Sequence, residues 1–166
     1  MRTSADYATL AAESKAMGEM EITFLGTGTS HGIPVIGCNC RVCHSVDPRD
    51  KRLRTSILVR TPEIVFNVDT PPDFRTQCLR EGIERLDAVV YTHSHSDHIL
   101  GFDELRRFCE LEDKSIPVYG AARTLKDLAR VFHYAFDEGP KFRTYVRPQP
   151  NVIDGPFQLG ETTIIP

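Results

Sequence analysis

The chain has 166 residues, of which 40% are hydrophobic and 26% are charged, and its formal net charge is −3. This length fits about one domain, and the slightly acidic balance argues against an extended basic surface for nucleic acid. The sequence shows neither a run of about 18 apolar residues nor an apolar signal segment. We therefore expect a cytoplasmic protein without membrane spans.

The predicted elements alternate between strands and helices along the chain. Residues 1–19, rich in Ala, Ser and Glu, are expected to form a weakly ordered extension before a domain over residues 20–166. Strands are predicted at 20–25, 56–60, 64–68, 87–91, 116–119, 142–146, 157–159 and 162–165. Helices are predicted at 71–81, 102–111 and 121–136. The order predicts a layered α/β fold, which some schemes would class as α+β.

A cluster of imidazole and carboxylate side chains directly follows the predicted strand 87–91. It consists of His93, His95, Asp97 and His98. Side chains two residues apart on an extended segment point the same way, so the first two histidines could reach one ion. The other two residues follow a turn and could reach a second ion. Such ligands suit zinc, manganese or iron, and paired ions make water a nucleophile. The motif predicts a hydrolase with two metals, the alternative being a surface turn that binds nothing.

Three of the five cysteines, Cys38, Cys40 and Cys43, crowd into one predicted loop. Three thiols at this spacing suit a structural tetrahedral zinc that needs one more ligand, and the alternative is three free cysteines. His44 is a weak candidate for the fourth ligand, since adjacent residues seldom share one metal. The remaining cysteines, Cys78 and Cys109, fall in predicted helices and are expected to be core or neutral positions.

The segment HSHSDH at 93–98 resembles the HxHxDH motif of the metallo-β-lactamase superfamily, as do ITFLGTGTSHGIP and FNVDTPPDF nearer the N-terminus. The resemblance implies an αββα sandwich with the metals at one edge of two packed sheets. It also implies that Asp69 orients metal ligands. The alternative is a helix N-cap near Pro71, and the two roles are compatible with each other. The cysteine cluster is similar to the branch containing the phosphoribosyl cyclic-phosphate phosphodiesterase, where a histidine of the C-terminal half completes the zinc site.

The resemblance implies a phosphodiesterase for a small or cyclic, nucleotide-like phosphodiester, with Asp97 also orienting the nucleophile. His31 is a candidate substrate contact within the loop Gly26–Gly32, which either approaches the substrate or is a simple strand exit. Two alternatives stay open. One is another hydrolase of the same fold, acting on a thioester, a lactam or RNA. The other is a noncatalytic zinc-binding fragment.

The resemblance further implies two more histidines and a bridging aspartate as ligands. Beyond His98 the sequence holds one histidine, His133, in a predicted helix, while Asp137 and Asp154 follow no apolar strand. We therefore expect the remaining ligands beyond Pro166, with the C-terminal half of the fold missing, and residues 1–166 alone to be inactive or barely active. An uncovered apolar sheet face could then pair in a homodimer.

Overall fold

A six-stranded sheet forms the centre of the molecule in a computed structural model that describes residues 20–137 and 142–166. The expectation for residues 1–19 lies outside the described part. The strands stand in chain order: β1 Glu21–Gly26, β2 Ser56–Arg60, β3 Val65–Val68, β4 Ala88–Val90, β5 Ile116–Gly120 and β6 Pro148–Val152. Strands β1 to β3 are antiparallel and β3 to β6 are parallel. A separate hairpin follows, with β7 Phe157–Leu159 and β8 Thr162–Ile164.

Five α-helices and two 3₁₀ turns connect these strands in the described part of the chain. The helices are α1 Phe74–Glu81, α2 Ser96–Ile99, α3 Arg106–Glu112, α4 Ala122–Val131 and α5 His133–Phe136. The 3₁₀ turns span Pro48–Asp50 and Phe102–Leu105. None of the described helices combines the length and apolarity that a bilayer crossing requires.

The sheet separates two apolar clusters because side chains alternate across each strand. Leu58 of β2 belongs to the larger cluster, which is shared with the helices, while its neighbour Val59 belongs to the smaller one. The hairpin β7–β8 completes the smaller cluster, where Phe157 stacks on Tyr119 with ring centroids 4.8 Å apart. The order of layers is therefore helices, sheet and hairpin, as the predicted layered fold requires.

The hairpin leaves the first strand open on its own side of the sheet. Ile22 and Phe24 stand opposite Val59 and Ile57 in the register of β1 and β2, and so share their face. They keep 52% and 66% of their surface exposed. An uncovered apolar stripe is thus present at β1, and the homodimer stays a prediction.

The predicted strand at 142–146 is wrong. These residues form a turn, closed by the Tyr145 N–H donating to the Phe142 oxygen at 2.9 Å, and the sixth strand begins at Pro148 instead. Pro148 and Pro150 lie in this strand, and proline is unusual in strands, so the sequence did not predict it. Their missing N–H groups cost nothing here, because the alternate N–H groups face β5, as Ile153 shows by donating to Gly120 at 2.9 Å.

Two of the predicted helix boundaries also need correction. The helix predicted from residue 71 begins at Phe74, after a turn through the two prolines. The helix predicted at 121–136 is broken at Phe132, whose φ of −111° and ψ of 42° leave the helical region. The ring of Phe132 packs on Phe102 with centroids 4.7 Å apart, so tertiary packing accompanies the break.

The parallel half of the sheet sets the place of the candidate site. The carboxyl ends of parallel strands meet at one edge, where α/β proteins commonly bind ligands. Asp69 directly follows β3, and the histidine motif follows β4. The fold therefore brings two segments that are distant in sequence to the same edge.

Candidate metal centre

The three motif histidines gather where the chain leaves β4. The ring centroids of His93 and His95 lie 4.6 Å apart, and those of His93 and His98 lie 4.0 Å apart. His95 still has extended dihedrals, and α2 then begins at Ser96 and carries Asp97 and His98 back towards the other rings. Local backbone geometry thus collects the predicted ligands, whereas metal binding itself stays a prediction.

Asp69 links the motif to the end of β3. Its Oδ2 atom accepts hydrogen bonds from His98 Nδ1 at 2.7 Å and from Thr92 Oγ1 at 2.7 Å, and its Oδ1 accepts the Thr92 N–H at 2.9 Å. The alternative role as helix N-cap is wrong, because Asp73 precedes α1. Because His98 donates a hydrogen bond from Nδ1–H to Asp69, its Nε2 atom carries a lone pair. This tautomer of histidine is the one that binds a metal through Nε2.

The donor set fits a divalent cation. His98 Nε2 and Asp97 Oδ2 stand 3.3 Å apart, and two ligands about 2.1 Å from one tetrahedral zinc would stand about 3.4 Å apart. Both atoms are acceptors once His98 has donated from Nδ1, so a positive charge between them would be stabilising. Burial, followed by the charges of His98 and His95, lowers the pKa of His93, and this favours the neutral imidazole that a metal needs.

The cysteine cluster converges more tightly than the histidine motif. Among the described residues, Cys38, Cys40 and Cys43 are the group of three or more potential ligands whose donor atoms all lie within 4.8 Å of one another. The hydrogen bond from the Cys43 N–H, with further bonds from the other two thiols, lowers the pKa of Cys40 to about 7. A thiolate is the form that binds zinc, so the local chemistry fits the predicted structural site.

The cysteines outside the cluster and the adjacent histidine do not join it. His44 Nε2 instead pairs with Asn39 Oδ1 at 3.2 Å. Cys78 lies in α1, where burial raises its pKa to about 12, and Cys109 is fully buried in α3. The described residues therefore bring three thiols together without a fourth ligand.

The remaining sequence candidates lie in varied surroundings. His31 is exposed in its loop. The glycines of this loop serve a close approach of the chain to itself, since a Cβ at Gly26 or Gly28 would overlap main-chain oxygens of residues 52–54. His133 is an exposed residue of α5 beside Asp137. Asp154 follows β6 at the same edge as the motif, which its sequence context did not indicate.

The structure adds two features that sequence reasoning missed. Ser94, between the first two histidines, donates to Asp127 Oδ2 of α4 at 2.8 Å. A cavity of about 550 Å³ opens beside the motif, with Thr92, Asp154 and Phe157 among its lining residues. Neither feature has a local sequence signal, because both join segments more than 30 residues apart.

Solved structures share this fold. The crystal structure of a diphosphatase from the PhnP family superposes with a TM-score of 0.77 and 41% identity, covering 89% of this chain and 56% of that chain. Zn²⁺-bound PqqB from Methylobacterium extorquens is 20% identical with a TM-score of 0.62, covering 84% of this chain and 48% of that chain, and shows the fold alone. The predicted fold class is thus confirmed.

A curated protein of Porphyromonas gingivalis (strain W83), named octanoyltransferase, is 42% identical over 149 residues, which are 89% of this chain and 30% of that protein. The chain therefore spans about half the length of the similar structures and less than a third of this relative. A family model described as the beta-lactamase superfamily domain matches residues 66–166, a range that includes Asp69 and the histidine motif. The chain belongs to the beta-lactamase superfamily.

Proposed function

We propose that the protein is a metal-dependent phosphodiesterase acting on a small or cyclic, nucleotide-like phosphodiester. The hydrogen bond from His98 to Asp69, together with the 3.3 Å approach of His98 Nε2 to Asp97 Oδ2 at the carboxyl edge of the sheet, is the observation that carries this proposal. The 41% identity to a diphosphatase of the PhnP family supports phosphorus rather than carbon as the reacting centre. Because the chain spans about half of that structure, the activity is proposed for the whole protein.

The motif side chains would hold two divalent ions, of zinc, manganese or iron. His93 and His95 would bind one ion, and Asp97 and His98 the other. When bound, such ions supply positive charge against the anionic transition state and lower the pKa of water. Asp69 keeps the proton of His98 on Nδ1, so that Nε2 stays a ligand. Asp97 also orients the nucleophile through its carboxylate.

The three clustered cysteines would hold one structural zinc. Their convergence within 4.8 Å and the lowered pKa of Cys40 support this part of the proposal. Structural sites bind through four protein ligands, whereas catalytic sites keep a position open for water or substrate. The two sites would therefore differ in the number of ions bound, in the type of ligand and in how readily the bound metal exchanges.

A second candidate activity is the hydrolysis of an acyl thioester. It is supported by the 42% identity to the protein named octanoyltransferase, whose name indicates acyl chemistry, although this chain covers 30% of that protein. The same charged centre could polarise a thioester carbonyl as well as a phosphoryl group. Substrate comparison must decide between the two activities.

The decisive experiment assays one preparation of the whole protein, loaded with zinc or manganese, on three substrates. Bis-p-nitrophenyl phosphate, an octanoyl thioester and a β-lactam are compared for the wild type, His95→Ala and His133→Ala. We expect turnover of the phosphodiester that His95→Ala removes and His133→Ala keeps, since His133 is exposed outside the motif. Preferential turnover of the thioester would favour the second candidate. Bound ions at the cysteines with none at the motif would overturn both and indicate a noncatalytic zinc protein.

A further inference from the structure

Asp69 adopts a backbone conformation that side chains usually avoid. Its φ is 61°, in the left-handed region, and it is one of two non-glycine residues with positive φ among those described. Such a conformation persists only where the surroundings hold it. It turns the chain at the end of β3, so that the carboxylate faces Thr92 and His98. The orientation of His98 therefore depends on what keeps Asp69 in this conformation.

Two buried side chains donate hydrogen bonds to the main-chain oxygen of Asp69. Asn67 Nδ2 and Ser56 Oγ both donate to it, the latter at 2.9 Å. Asn67 Nδ2 also donates to Ser56 Oγ at 3.0 Å, which ties the two side chains together. On the other side, the Asp69 N–H donates to the Val90 oxygen at 2.9 Å. The peptide groups on both sides of Asp69 are therefore fixed by hydrogen bonds.

Asn67 is a costly choice for the position it occupies. It is completely buried, and its Oδ1 atom has no hydrogen-bond partner within the described part of the chain. A buried polar atom without a partner destabilises a fold, so a residue such as leucine would suit the site better on stability alone. Leucine, however, could not donate the hydrogen bond that Asn67 donates to the main-chain oxygen of Asp69.

We propose that Asn67 and Ser56 are positioning residues of the metal centre, which act by holding the left-handed backbone of Asp69 and so directing its carboxylate to His98. The consequence for metal binding rests on the proposed function, whereas the consequence for the proton on His98 does not. We call the hydrogen bonds from Asn67 and Ser56 to the main-chain oxygen of Asp69 the clamp. Without the clamp, Asp69 would leave the left-handed region, and His98 would be free to carry its proton on either nitrogen.

The test compares Asn67→Leu with Gln77→Met. Gln77 is the matched control, because it is also completely buried, has an unpartnered Oε1 among the described atoms, and donates to a main-chain oxygen, that of Arg54, at 2.8 Å. Nitrogen-15 NMR of the metal-free protein reports the His98 tautomer at a pH about two units above the ordinary histidine pKa. Competition with a chelator reports the affinity for zinc.

We expect both variants to fold, since each replaces a buried amide that has an unpartnered oxygen by an apolar side chain, but only Asn67→Leu to lose the single Nδ1–H tautomer. We also expect it to bind zinc at the motif about 10–100-fold more weakly, as loss of ligand-orienting partners generally causes. A fixed tautomer in Asn67→Leu, or equal losses in Gln77→Met, would overturn the proposal. If the wild type binds no zinc at the motif, the proposed function fails. The His98 tautomer in the variants still shows whether the clamp holds Asp69.

Ser56→Ala covers the case in which Asn67→Leu does not fold. It removes one of the two donors to Asp69 and leaves a side chain of similar volume. A partial loss of the Nδ1–H tautomer is expected, and an unchanged tautomer would contradict the clamp.

Discussion

The cysteine cluster and the histidine motif are two candidate metal sites built in different ways. The thiols come from six consecutive residues, and local N–H groups donate to their sulfurs, as Val35 does to Cys43 at 3.4 Å. The histidine motif depends on distant partners, namely Asp69, 29 residues before His98, and Asp127, 33 residues after Ser94. The thiols consequently converge more tightly than the motif side chains.

This difference matches the different demands of the two proposed roles. A structural zinc needs a closed shell that local sequence can provide. A reacting centre needs open positions, and its ligands must be oriented by partners outside the motif. The comparison predicts that the two sites respond differently to substitution and to metal removal.

The largest expected effect of a single substitution separates the motif from a similar carboxylate–histidine pair on the surface. Asp97→Asn should lower kcat/KM for bis-p-nitrophenyl phosphate by about 10²–10⁴-fold, the usual range for a positioned acid–base group. Asp137→Asn is the matched control, since Asp137 also faces a histidine, His133, at 3.5 Å but is 68% exposed. Steady-state kinetics of both variants measures the effect. Comparable losses in the two would refute a special role for the motif carboxylate.

Metal removal should act on the two sites in sequence. Dialysis against a chelator is expected to abolish the phosphodiesterase activity while one zinc ion per chain remains, because three thiolates and a closed shell hold zinc more firmly than an open site. Metal analysis and the ultraviolet thiolate–cobalt band of a cobalt-substituted sample would follow both sites. Loss of the thiolate-bound ion first would reverse the comparison.

Removal of one thiol of the cysteine cluster should reduce the stability of the fold rather than the catalytic activity. Cys43→Ser is expected to abolish a zinc-dependent stabilisation of about 3–4 kcal/mol, the value for a ligand present at 100 to 1,000 times its dissociation constant. Urea unfolding with and without zinc measures it, and Cys78→Ala serves as the control outside the cluster. If zinc stabilises Cys43→Ser as much as the wild type, the cysteines do not form the structural site.

The smallest expected effect concerns the support of the motif from α4. Asp127→Asn weakens a charge-assisted hydrogen bond from Ser94, worth about 1.5–3 kcal/mol in general, and should lower kcat/KM about tenfold. Arg130→Ala is the control, because Arg130 pairs with the same carboxylate at 3.3 Å but its side chain is 79% exposed, and such pairs contribute little. The idea fails if Arg130→Ala costs as much activity as Asp127→Asn.

The sequence by itself determined the features that depend on neighbouring residues. The strands predicted at 56–60 and 64–68 correspond to β2 and β3, and the helix predicted to end at residue 81 ends there, before Gly82 adopts a φ of 60°. The spacing of the histidines predicted their gathering, and that of the cysteines predicted a common cluster. These signals are local because strand period, helix termination and ligand spacing act over a few residues.

Only the tertiary structure decided which distant groups support the site. Pro148 and Pro150 can lie in a strand because their nitrogens face away from β5, a matter of register that the sequence does not encode locally. Similarly, Ser56 and Asp127 lie 13 and 33 residues from Asp69 and Ser94, and their contacts with those residues exist because strands and helices from separate segments meet. Hydrogen bonds between distant segments depend on packing, which no short window of sequence contains.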